Sequence, residues 1–115
     1  MSTSEHPADA EPVLVQIEDG SELEIRNRYG ERRTVRVGRE WELRVGDEVV
    51  GHISYAMLTR ERRSPGKRYV NARWQSPGWR YRESGDHHWL ERPSRKECVE
   101  SLMWALSRRR AAGGS

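Results

Sequence analysis

Trp41-Glu42-Leu43-Arg44-Val45-Gly46-Asp47-Glu48-Val49-Val50-Gly51-His52-Ile53-Ser54-Tyr55 is the stretch whose reading decides the fold. Trp41, Leu43 and Val45 alternate with Glu42 and Arg44. Successive side chains of an extended chain point to opposite sides of a sheet, so three apolar residues gather on one face and two charges on the other. Gly46-Asp47 is a turn signal. Alternation then resumes, with Val49, Gly51, Ile53 and Tyr55 on one face and Val50, His52 and Ser54 on the other. Two such runs around a glycine-containing turn predict an antiparallel hairpin buried on one side.

The same period extends outward in both directions. Upstream, Leu23 and Ile25 alternate with Glu22, Glu24 and Arg26; after a break at Tyr29-Gly30-Glu31, Val35 and Val37 alternate with Thr34, Arg36 and Gly38. This predicts another hairpin, preceded by a short β-prone run at 13–17 that Glu18-Asp19-Gly20 closes as a turn. Downstream, residues 58–68 are charged, contain Pro65-Gly66 and read as a polar surface loop. A further hairpin is predicted from 69–75, the turn Ser76-Pro77-Gly78, and 79–83. In it Val70, Ala72, Trp74, Trp79 and Tyr81 share the buried face, which makes Trp74 and Trp79 core aromatics rather than stacking platforms. Asn71, Arg73, Gln75, Arg80 and Arg82 are left together on the open face.

The last element is helical. Ser94-Arg95-Lys96-Glu97 is a capping box, in which the Ser94 hydroxyl and the Glu97 carboxylate would reciprocally satisfy free backbone N–H groups. Val99, Leu102, Met103 and Leu106 follow i, i+3, i+4, i+7 spacing, a core-facing stripe that Cys98 flanks as a small buried side chain. Arg108-Arg109-Arg110 suits the negative end of the helix dipole. The predicted class is α+β: a twisted antiparallel sheet of about five or six short strands with one C-terminal helix on one face. Residues 1–11 read as a disordered acidic tail, 12–110 as a single domain and 111–115 as a disordered C-terminus.

Composition bounds the function. The chain has 115 residues, with no Phe, five Trp and four Tyr. Leu, Ile and Val number 19, so large aromatic rings must supply much of the core. All 21 Lys and Arg lie from Ile25 onward with eleven of the 18 acids, giving that part +10 against −7 in residues 1–24. Nineteen of the cations are Arg, which a coding bias toward Arg would explain, but such a bias does not collect the acids at one end. This asymmetry flags a basic binding surface with an acidic lead. The lead reads either as a solubilising tail or as a segment that competes with phosphates for the basic face.

Arg60, Arg62, Arg63, Lys67, Arg68, Arg73, Arg80 and Arg82 face a single acid, Glu61, between residues 60 and 82, with Tyr69, Trp74, Trp79 and Tyr81 among them. Cations mixed with aromatics match a polyanion carrying flat rings, so the expected partner is nucleic acid, DNA ahead of RNA. Arg73, Arg80 and Arg82 would meet the groove or backbone of a duplex, where Arg pairs bidentately with guanine and Asn71 and Gln75 suit adenine. Arg60, Arg62, Arg63, Lys67 and Arg68 would clamp phosphates without sequence preference. The basic sheet followed by one helix, spanning residues 41–107, is similar in element order to the AP2-type and integrase arm-binding domains. That resemblance implies a sheet that meets DNA, and it rests on element order rather than on a motif. The bland reading of the same residues is a solvated sheet face.

Trp104 falls on the polar side of the helix, near Glu97, Glu100, Ser101 and Arg108. A large apolar side chain there needs a cover. The 13–17 strand, a second subunit or partner protein, or Arg108 in a cation–π pair would each supply one. Trp104 and Arg108 are therefore candidate partner-binding residues of a homodimer or protein-interaction module, the rival reading of function.

Asp86-His87-His88 with Glu91 lacks metal-ligand spacing, and no glycine-rich phosphate loop or nucleophile motif occurs. No enzyme activity, metal, cofactor or small-molecule substrate is expected. One cysteine precludes an intrachain disulfide, and no apolar run is long enough to span a bilayer, so a cytoplasmic, non-membrane protein is expected.

Overall fold

A computed structural model describes residues 11–27, 29–63, 65–66 and 72–113. The chain folds into an antiparallel five-stranded sheet in the order β1-β2-β3-β4-β5, with one C-terminal helix against it. The elements are β1 (Val13–Arg26), β2 (Arg32–Val45), β3 (Glu48–Arg62), β4 (Ala72–Glu83), β5 (Leu90–Arg92) and α1 (Arg95–Gly113). This is the expected α+β class with a strand number inside the expected range, but four of the strands are longer than expected. The acidic residues 1–10 and Gly114-Ser115 lie outside the described residues, and α1 continues three residues past the boundary expected at 110.

Two predicted turns are instead passages within strands. Glu18-Asp19-Gly20 does not close β1; Ile17 is accommodated as a bulge between the pairs Gln16–Trp41 and Glu18–Glu40. Gly20 and Gly38 then pass side by side at φ 73° and 81°, and a Cβ on Gly20 would run into the Val37 carbonyl oxygen. Only residues without a Cβ carry both strands through that point without strain.

Ser76-Pro77-Gly78 likewise lies within β4, which pairs with β3 in unbroken register from Gly51–Glu83 to Arg62–Ala72. Proline is tolerated because β5 pairs only with Trp79, Arg80 and Tyr81, so β4 is an edge strand at Pro77. Gly78 is needed for close approach: a Cβ there would sit 2.7 Å from Leu58 Cδ1 and 2.9 Å from an Arg60 terminal nitrogen. The expected loop at 58–68 accordingly begins later, since Leu58, Thr59, Arg60, Glu61 and Arg62 continue β3 and Leu58 is buried.

The hairpin at 41–55 forms with Gly46-Asp47 as its turn. Gly51 and Ile53 are buried as the reading has them, but Val49 and Val50 are exchanged: Val50 is fully buried and Val49 only half buried. A bulge is the cause. The register steps from Leu43–Gly51 to Arg44–Val49, which leaves Val50 unpaired and turned inward beside Gly51.

The core is the contact of α1 with one end of the sheet. Trp41, Leu43, Val45, Val50, Ile53 and Tyr81 pack with Cys98, Leu102 and Leu106, flanked by Leu14, Tyr55, Trp79, Val99 and Met103. Ser94 caps α1 through Oγ, which accepts the Glu97 N–H at 3.2 Å. The reciprocal half of the expected capping box differs: the Glu97 carboxylate accepts the Ser94 hydroxyl at 3.2 Å. The molecule is elongated, with principal extents of 60 × 36 × 19 Å, because the β1–β2 and β3–β4 ribbons run on beyond the helix as two arms. Among the described residues no helix is long and apolar enough to cross a membrane.

Candidate nucleic-acid interface

The continuous β4 redistributes the arginines. Ile53, Tyr55, Trp79 and Tyr81 face the helix side, and counting by twos along both strands assigns Arg73 and Gln75 to that same side. Arg80, Arg82, Trp74, Arg60 and Arg62 lie on the opposite, open face. The expected cluster Arg73, Gln75, Arg80 and Arg82 therefore does not form. It required a turn at 76–78 to reset the alternation, and there is none. Lys67, Arg68 and Asn71 lie outside the described residues.

Local acids neutralise part of the predicted clamp. Arg60 is ion-paired to Glu91 and donates to Ser76 Oγ at 3.1 Å. Glu61 holds both Arg73 at 3.0 Å and Arg63 at 3.6 Å. Arg62, Arg80 and Arg82 have no carboxylate partner among the described residues. Trp89, from the segment between β4 and β5, contacts two of these cations. The Arg80 and Arg82 guanidinium carbons lie 4.4 and 4.9 Å from its ring centroid, so both are held in cation–π contact. Their Nε atoms, and His52 Nδ1 on the same face, are buried without a hydrogen-bond partner. A buried polar atom left without a partner is costly, so these three mark a locally strained polar spot on the face. The β2 edge of this face is acidic: Glu42 accepts from Arg44 at 2.6 Å and sits 3.8 Å from His52 Nε2. Hydrogen bonds from Arg44 hold the Glu42 carboxyl below its ordinary range.

Trp74, expected in the core, is 48% exposed. It lines a cleft of ≈ 540 Å³ between the tip of the β1–β2 arm and β4, together with Ile25, Pro77, Arg26, Arg32 and Arg33. Arg32 is ion-paired with Glu24 at 3.6 Å; Arg26 and Arg33 have no carboxylate partner among the described residues. These three arginines were not singled out in the sequence because they belong to a different hairpin, 41 or more residues from Trp74, and only the fold brings them together. Trp89 was missed for a different reason: it sits in an irregular segment without periodicity.

On the helix side, cations cover the aromatic edge of the core. The Arg39 guanidinium lies 5.4, 5.1 and 5.8 Å from the rings of Trp41, Tyr55 and Trp79. Arg95 stands 5.4 Å from the Trp41 ring, and Arg92 lies 5.2 Å from the Tyr81 ring while donating to Ser101 Oγ at 2.9 Å. These arginines cap the core with their stems and stacked planes.

Trp104 is 63% exposed, with the Arg108 guanidinium 4.8 Å from its ring. The 13–17 strand does not cover it, because β1 pairs with β2 at the far edge of the sheet. Asp86 accepts the His88 backbone N–H at 3.0 Å, and that bond lowers its carboxyl pKa. Among the described residues no group of three or more His, Cys, Asp and Glu side chains is arranged to hold a metal ion. No protein-family model matches the chain, and no curated protein or solved structure matches it.

Proposed function

We propose that this chain binds nucleic acid through the open face of β3 and β4, without catalysing a reaction. The observation that carries the reading is the placing of Arg80 and Arg82 together on the open face against the Trp89 ring, neither with a carboxylate partner among the described residues, with Arg62 and Trp74 farther along the same face. Phosphates take the charge, and the guanidinium edges that Trp89 leaves open supply hydrogen bonds. Duplex DNA is the first form to test, because the β3–β4 arm is a two-stranded ribbon of the kind the major groove admits. A second form has its own support: exposed Trp74, in a cleft with Arg26 and Arg33, gives an unpaired base a stacking face that a duplex cannot use.

Anisotropy of labelled duplex DNA, single-stranded DNA and RNA across a salt series tests both forms. Binding is expected to fall steeply with salt. The Arg80→Ala/Arg82→Ala chain is expected to weaken every form at least about tenfold, with a circular-dichroism spectrum like that of the parent chain. Trp74→Ala is expected to weaken single strands by about 1–3 kcal/mol while leaving duplex binding nearly unchanged. Absence of binding to all three probes at low salt overturns the proposal.

A further inference from the structure

The chain carries a second exposed feature that the nucleic-acid reading leaves unused. Trp104 is the middle residue of the 19-residue α1 and projects on the side away from Leu102. It stands between two hollows. One, of ≈ 560 Å³, lies toward β4 and β5 and includes Tyr81, Leu90 and Ser101; the other, of ≈ 300 Å³, includes Ala105, Arg108 and Ala112. Leu90 at the first hollow is 50% exposed. A tryptophan knob flanked on one helix by two hollows of mixed charged and apolar lining, with Glu83 in both, is a shape that can complement a copy of itself.

The charges agree with that shape. Glu100 lies one turn before Trp104 and Arg108 one turn after, so all three form a single i, i+4 column. Glu100 has no cation partner among the described residues, and Arg108 has no carboxylate; its guanidinium rests only on the Trp104 ring. The other two arginines of this helix end are already taken, Arg109 by Glu83 and Glu48 and Arg110 by Glu48. Two opposite charges eight residues apart on one helix cannot reach each other. In an antiparallel pair of these helices centred on Trp104, each Glu100 lies beside Arg108 of the second copy. A two-fold axis makes that pairing twice.

We infer that α1 forms an isologous, antiparallel helix pair with α1 of a second copy of this chain, with Trp104 at the centre and two reciprocal Glu100–Arg108 ion pairs beside it. The arrangement leaves the open face of β3 and β4 uncovered, and the inference does not depend on the nucleic-acid proposal.

Sedimentation equilibrium of the full chain, under reducing conditions and without nucleic acid, tests it from micromolar to millimolar concentration. A reversible monomer–dimer equilibrium is expected. Trp104→Ala, Glu100→Arg and Arg108→Glu are each expected to raise the dissociation constant about tenfold or more while preserving the circular-dichroism spectrum. The decisive measurement is an equimolar mixture of the Glu100→Arg and Arg108→Glu chains. Each alone sets like charges against like, whereas the mixed pair restores both ion pairs, so the mixture should dimerise where its components do not. A parent chain that stays monomeric at millimolar concentration overturns the inference. So does a dimer that survives both charge reversals, or a mixture no more associated than its components.

Discussion

Where α1 covers the sheet, Leu43, Val45, Val50, Ile53, Cys98 and Leu102 are completely withdrawn from water; in the arms beyond it, Leu23 of β1 is 41% exposed and Trp74 of β4 is 48% exposed. The covered end is held by burial, since Leu102 sits over Gly51 with its Cδ2 only 2.6 Å from where a Cβ would stand. The arms are held by the backbone ladder and by exposed ion pairs such as Arg36–Asp19 and Arg73–Glu61. Exposed pairs contribute little, a median of about 0–1 kcal/mol each. Stability is thus concentrated at one end, and the side chains of the other end are left to chemistry. The arms hold Arg62, Trp74 and the arginines of the cleft, where a substitution should cost the fold little and, on the proposed function, act on binding first.

Three measurements would break or sharpen that contrast. The largest effect is expected from Leu102→Ala, which opens a cavity between α1 and the sheet and should cost about 2–5 kcal/mol in denaturant unfolding. Next comes alkaline pH. Burial pushes the Cys98 thiol up from 9.0 to about 11, so between those values the folded state keeps a proton that the unfolded state has lost. Stability should therefore be intact below about pH 9 and fall as pH rises toward 11, by about 3 kcal/mol in all. Cys98→Ala should remove that pH dependence, seen as parallel unfolding curves at pH 8 and pH 10.5. The smallest effect is expected in the arm: Leu23→Ala, opposite Val35 in the β1–β2 ladder, should cost less than about 1 kcal/mol. If Leu23→Ala were as damaging as Leu102→Ala, the arms would be part of the cooperative core and the division of labour would not hold.

The fold was more legible than the interface. Period-two alternation around Gly46-Asp47, the Ser94 cap and the Leu102–Leu106 stripe are local signals, and each element they point to forms. The interface was harder because the side on which an arginine emerges depends on counting residues from the last fixed point. At Ser76-Pro77-Gly78 the local chemistry favours a turn, whereas pairing along the whole length of β3 carries the chain straight through. That one difference separates Arg73 and Gln75 from Arg80 and Arg82. At Val50 a bulge shifts the count again. Trp89 and the cleft arginines Arg26, Arg32 and Arg33 meet their neighbours only through contacts across elements, for which a single sequence has no periodic signature.

The sequence by itself determined the class: an antiparallel sheet, one capped C-terminal helix and a strongly basic chain after an acidic lead. These follow from side-chain period, caps and charge, which act within a few residues. Tertiary structure alone decided how far each strand runs, which arginines share a face, which are neutralised, and that Trp104 stays uncovered. Strand length and facing are set by ladder pairing between residues far apart in the chain, where many backbone hydrogen bonds together outweigh one local turn preference.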